Sequence, residues 1–135
     1  MVEDVAPKQV WEALGSHPEA RLVDVRTDYE WTQIGTPDLT AVGKQPVLLS
    51  WQLAPAMQVN PQFLEQMRAA GIVETDHVYF LCRSGVRSMA AAQTAAAAGF
   101  KHCYNVTDGF EGPPDGQGVR GRTVGWQADQ LPWRK

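Results

Sequence analysis

Residues 78–100 read VYFLCRSGVRSMAAAQTAAAAGF. A thiol, Cys82, closes an apolar run. Arg83, Ser84, Gly85, Val86, Arg87 and Ser88 follow, and then a segment made almost wholly of alanine. A loop this short, leading into a helix, can turn several backbone N–H groups inward. With the helix dipole they form an anion-binding nest. A thiolate placed there is stabilised as a nucleophile, and the same cradle holds any anion carried on the sulfur. Arg83 and Arg87 add positive charge at the rim, Gly85 supplies a backbone angle that other residues resist, and Ser84 and Ser88 offer hydroxyl donors. The competing reading of Cys82 is a small buried hydrophobe, as free cysteines often are. Two arginines within five residues and a helix start favour the chemical reading.

The second cysteine, Cys103, reads differently. It begins the strand that follows the alanine helix, and a parallel crossover puts it at the opposite edge of the sheet from Cys82. A helix of that length spans roughly 18 Å, whereas disulfide partners need Cα atoms within about 7 Å. Cys103 is therefore expected in the core and unbridged. His17, His77 and His102 are scattered without ligand spacing, so no metal and no cofactor are expected. His77 precedes the Cys82 strand and is a poor base for it. A nest-stabilised thiolate needs none.

The elements that would position Cys82 are strands alternating with helices. Pro7 opens a helix over 7–15, with Val10, Trp11 and Leu14 on one face and Gly15 as its stop. A buried strand is predicted over 21–25. A short helix follows, capped by Thr27 or Asp28 and stopped at Gly35. A second strand is predicted over 46–51, a helix over 60–71 with Asn60 as cap, a central strand over 77–82, a helix over 87–98 and a fourth strand over 102–106. This is an α/β pattern, with a mostly parallel central sheet and helices on both faces. Chemistry in such sheets gathers at the carboxyl ends of the strands, where Cys82 lies. Trp51, at the end of the second strand, is expected either to wall the pocket or to pack in the core.

The 135 residues, 44% of them hydrophobic, suit one domain over 1–135 with a core at about 8–112. Residues 113–135 form a tail rich in glycine and proline, which Trp126 and Trp133 are expected to staple down. Residues 116–135 carry an excess of three positive charges, which would steer anions if folded over the pocket and otherwise sit in solvent. A net charge of −3 argues against nucleic acid as a partner. No apolar run is long enough to cross a bilayer. The acidic, amphipathic N-terminus does not resemble a secretory signal, and two cysteines are too few for a disulfide framework. A cytoplasmic location is expected, although a precursor with a separate export signal is compatible with the sequence.

Three segments, LVDVRTDYEW, CRSGVRS and YNVTDGFEG, resemble those of single-domain rhodaneses, which are thiosulfate sulfurtransferases. The likeness covers roughly residues 8–112. It implies a rhodanese-like α/β domain in which Cys82 becomes a persulfide and Arg83, Ser84, Gly85, Val86 and Arg87 cradle the outer sulfur and the anionic donor. It makes Asp24 and Arg26 the signature pair that braces the loop, tied to Glu30 by an ion pair, with Ser88 beside the nucleophile. The sequence departs from the family in lacking the glycine-histidine-proline-glycine-like segment, in having Asp108 where a glycine is common, and in its long GPPDGQGVRGR insert. The implied partners are a small anionic sulfur donor, a thiophilic acceptor and a sulfur-carrier protein. Four residues separate Cys82 from Arg87, whereas phosphatases and arsenate reductases on this fold use five to surround a tetrahedral oxyanion. Sulfur chemistry is thus favoured over those two rivals. A sulfur relay or partner-binding module with little small-molecule turnover is the third alternative.

Overall fold

A computed structural model describes residues 2–135. Its elements in chain order are β1 (Val2–Val5), α1 (Pro7–Ser16), β2 (Ala20–Asp24), α2 (Asp28–Gln33), β3 (Thr36–Pro37), β4 (Val47–Leu48), β5 (Gln52–Leu53), β6 (Gln58–Val59), α3 (Phe63–Ala69), β7 (His77–Leu81), α4 (Val86–Ala97), β8 (His102–Val106) and β9 (Trp133–Arg134). Five strands form an all-parallel sheet in the order β1-β8-β7-β2-β4. The α/β architecture expected from the sequence is present, with helices on both faces.

Alternation along β7 sorts the core into two layers, because successive strand side chains face opposite sides. Val78, Phe80 and Cys82 pack with Phe63 and Met67 of α3 and with Ala91, Ala92 and Ala95 of α4. Tyr79 and Leu81 face the other layer, with Val10 and Leu14 of α1, Phe110 and Trp126. The alanines let α4 approach the sheet closely. Its three core-facing alanines are all fully buried.

Several boundaries differ from the sequence reading. The N-terminal residues pair with β8 as an edge strand, which extends the ordered core before residue 8. Helix α1 runs through Gly15 to Ser16. The strand predicted over 46–51 is regular only at Val47–Leu48. Leu49 and Trp51 still donate to the carbonyls of Asp24 and Val25, so β2 holds this segment beyond the regular strand. Asn60 does not cap α3. Its side chain accepts from the Gln62 N–H one turn earlier, and α3 begins at Phe63. Trp51 stacks edge-on against Phe63 at 5.3 Å and joins the core.

Trp126 is fully buried, meets Trp11 edge-on at 6.0 Å and donates its indole N–H to the Pro132 carbonyl. Trp133 is 41% exposed, rests on Phe110 and belongs to the β3–β9 pair. Two of the four basic residues of this segment are engaged locally. Arg120 donates to the Gly112 carbonyl, and Arg122 lies 3.8 Å from the Asp115 carboxylate. No described helix is long and apolar enough to cross a membrane.

Candidate active site

Cys82 follows directly on the last residue of β7, and Gly85 caps α4 with φ +108°, in the region where glycine is favoured. The chain therefore turns from strand to helix within four residues. Cys82 is 1% exposed. On its polar side Sγ receives the Gly85 N–H at 3.1 Å and meets Ser88 Oγ at 3.2 Å.

The loop is held from outside by the turn after β8. Phe110 N–H donates to the Cys82 carbonyl at 2.8 Å, and Glu111 and Gly112 N–H groups donate to the Arg83 carbonyl at 3.0 and 3.1 Å. A trans peptide points its N–H opposite to its carbonyl. Fixing these carbonyls toward the turn thus aims the Arg83 and Ser84 N–H groups away from it. Among the described residues, no protein acceptor meets the N–H groups of Arg83, Ser84, Val86 and Arg87. They are free to receive an anion.

The turn needs a close approach. A Cβ on Gly109 would lie 2.5 Å from both the Cys82 and Arg83 carbonyl oxygens, and Gly109 has φ +65°. Asp108, just before it, adopts φ +68°, a conformation that aspartate tolerates better than most residues.

The structure corrects the expected tie of Glu30 to Asp24 and Arg26. Glu30 forms a bidentate pair with Arg87, at 2.7 and 2.9 Å. The Thr27–Glu30 capping box at the start of α2 orients the carboxylate for this contact. Partial burial opposes ionisation of Glu30, but the Arg87 guanidinium, helped by the Thr27 N–H and hydroxyl, outweighs it and holds the carboxyl at about 2. Glu30 in turn raises the affinity of Arg87 for its proton against burial. Arg87 is thus a neutralised clamp joining α4 to α2. Arg83 is exposed and carries the unpaired charge of the loop.

Asp24 and Arg26 pair with each other instead, fully buried, at 2.8 Å. Arg26 also donates to the Gly35 carbonyl and lies 4.3 Å over the Phe110 ring. The pair therefore reaches the loop at one remove, through the residue whose N–H holds the Cys82 carbonyl.

Two further residues of the site escaped the sequence reading. Asn105 of β8 accepts from Ser88 Oγ at 2.6 Å and donates to the Gly85 carbonyl and to Asp4 of β1. The signal for Asn105 was a polar residue in the interior of HCYNV, since a buried amide requires partners. Asp4 gave no signal, because its strand was not recognised. A groove of about 480 Å³ opens beside the loop, lined by Ser84, Gly85 and Val86 on one side and Asp4, Asn105 and Asp108 on another.

Cys103 lies elsewhere. It pairs in register with Val78, at the far end of the strand from Cys82, and burial pushes its thiol up to about 11. Both cysteines are free. His77 stacks on His102 at 4.1 Å and contacts the Tyr104 hydroxyl, also at the far end. No cluster of metal-ligating residues occurs among the described residues.

The family model described as STR4 middle domain matches residues 3–135. Uncharacterized protein RC0915 of Rickettsia conorii is 37% identical over 133 residues, covering 98% of both chains. Rhodanese-like domain-containing protein 4, chloroplastic, of Arabidopsis thaliana is 28% identical over 127 residues, 93% of this chain but 24% of that much longer protein. The crystal structure of Rv0390 from M. tuberculosis superposes with a TM-score of 0.88 at 44% identity, covering 98% of this chain and 97% of that one. The polysulfide-sulfur transferase homodimer of Wolinella succinogenes matches at TM-score 0.67 and 22% identity over 98% of this chain and 78% of its own, a likeness of fold. The protein belongs to the STR4 middle domain family and carries the rhodanese-like fold.

Proposed function

We propose that the protein is a sulfurtransferase, moving a sulfane sulfur from thiosulfate or a similar donor to a thiophilic acceptor through a persulfide on Cys82. One observation carries the reading. Gly85 N–H is aimed at Sγ from a helix start whose neighbouring amides lack acceptors. In the first half-reaction the Cys82 thiolate attacks the outer sulfur of the donor. The donor S–S bond breaks, and sulfite leaves with the bonding electron pair. The persulfide anion rests against the loop amides, which are fixed before reaction and need no reorganisation. In the second half-reaction a lone pair of the acceptor attacks the outer sulfur, and Cys82 leaves as thiolate. No external oxidant or reductant enters either step.

The roles divide by position. Arg83, exposed, meets the anionic donor. Ser84, Gly85, Val86 and Arg87 contribute backbone N–H groups, and the Arg87 side chain locks the loop through Glu30. The polysulfide-sulfur transferase among the fold neighbours supports this class of chemistry. Val86, 78% exposed at the loop, favours one second reading: delivery of sulfur by a protein persulfide docking there. The four-residue spacing between Cys82 and Arg87 speaks against a phosphatase or arsenate reductase.

Steady-state kinetics with thiosulfate and cyanide test the proposal. The expected result is a ping-pong pattern that disappears in Cys82→Ala. Intersecting patterns, or phosphate-ester hydrolysis that depends on Cys82, would overturn it. Slow turnover with small donors, together with fast transfer from a protein persulfide, selects the relay.

A further inference from the structure

We infer that Asn105 turns the Ser88 hydroxyl away from the Cys82 sulfur, so that Ser88 accepts from the resting thiol and donates only once the sulfur carries charge. This rests on the sulfurtransferase reading of Cys82.

The polarity follows from counting hydrogens. Asn105 Nδ2 lies 3.1 Å from Asp4 Oδ1 and 3.2 Å from the Gly85 carbonyl oxygen. A carboxylate and a carbonyl only accept, so the amide NH2 must face them. The flipped amide would press its oxygen against two acceptors. Asn105 Oδ1 therefore faces Ser88 Oγ at 2.6 Å, a short O–H···O contact. A hydroxyl has one hydrogen, and Ser88 spends it on Asn105. What Ser88 presents to Sγ, 3.2 Å away, is a lone pair. The Cys82 S–H, a weak donor, fills it, while the Gly85 N–H occupies the accepting side of the sulfur. Ser88 is fully buried.

When Cys82 gives its proton to solvent, the same lone pair faces a negative sulfur. Ser88 then rotates to donate to the sulfur and gives up its bond to Asn105. It serves the thiol at rest and the anion during turnover, and the exchange involves no proton transfer through Asn105. Among the charged groups nearby, Arg87 interacts with Cys82 and is neutralised by Glu30, and the Asp4 carboxylate stands behind Asn105. The orientation is set from β1, since Asp4 is the outer anchor of the amide.

The test uses the full chain at neutral pH, reading the ultraviolet thiolate absorbance and the rate of Cys82 alkylation by iodoacetamide. Asn105→Ala frees the Ser88 hydrogen, which then has no bond to give up when the sulfur ionises, and both signals should rise about fivefold, the size of one net hydrogen bond. In a Ser88→Ala background the same Asn105 change should leave both signals unmoved. Asp4→Ala, at an exposed site that leaves the core intact, should raise both in the same direction by a smaller factor, because the Gly85 carbonyl still holds the amide. A fall or no change in Asn105→Ala, or a fall in Asp4→Ala, overturns the inference. These signals report on the thiol itself. If they behave as expected while thiosulfate leaves no sulfur on Cys82, the sulfurtransferase reading fails and the hydrogen-bond polarity stands.

Discussion

Replacing Glu30 by Gln removes the charge that anchors Arg87 and keeps the shape of the contact. The Glu30 carboxyl is held at about 2, against a usual 4.5. At about 1.4 kcal/mol per pH unit, that difference bounds its ionic contribution at roughly 3 kcal/mol, with solvent screening lowering the realised value. The group is depressed in the folded state, so its contribution is complete above about pH 4.5 and is lost as pH falls toward 2. More than half should have gone by about pH 3. The assay is urea denaturation of wild type and Glu30→Gln at a series of pH values. The variant should be less stable by about 1–3 kcal/mol at pH 7, and the two midpoints should converge on acidification. A stability difference that stays constant from pH 7 to pH 3 would refute the argument, because the pair would then contribute shape and not charge. Sulfur transfer should fall in the same variant, since the clamp joins the catalytic loop to α2.

Gly109→Ala forces a Cβ to within 2.5 Å of the Cys82 and Arg83 carbonyl oxygens at a positive φ. Thermal unfolding should show a loss above about 2 kcal/mol, with transfer activity falling further than stability. Wild-type stability in that variant would mean the turn does not hold the loop. Cys103, buried with its thiol pushed up to about 11, should stay unlabelled by iodoacetamide in native protein at neutral pH and react on unfolding. Peptide mapping would expose native labelling at residue 103 as a contradiction.

The alternation of strands and helices was legible because each element carries its own period and stops. The run HVYFL and the alanines of α4 are examples, and Cys82 at the strand end follows from them. β1 was not legible. VEDV has half-exposed flanks and charged middle residues, and it becomes a strand only because β8 supplies a partner from a distant part of the chain. β4 looked longer than its regular pairing because Leu49 and Trp51 are apolar and still hydrogen-bond to the Asp24 and Val25 carbonyls, although the regular pairing ends at Leu48. The site was half legible for the same reason. Residues 82–88 are contiguous, so their chemistry could be read in order. Glu30 and Arg87 lie 57 positions apart, and nothing local distinguishes Arg87 from Arg26 as the partner of Glu30. The capping box explains the orientation of Glu30 only once α2 is placed beside the loop. Asn105 announces itself as a polar residue in a buried strand, but its role depends on Asp4, which the unrecognised strand brings in.

The loop amides are argued to hold a sulfur atom on Cys82, and intact mass spectrometry after thiosulfate treatment measures that atom directly. The account predicts a gain of one sulfur, removed by cyanide and absent in Cys82→Ala. An unchanged wild-type mass, or the same gain in Cys82→Ala, contradicts it.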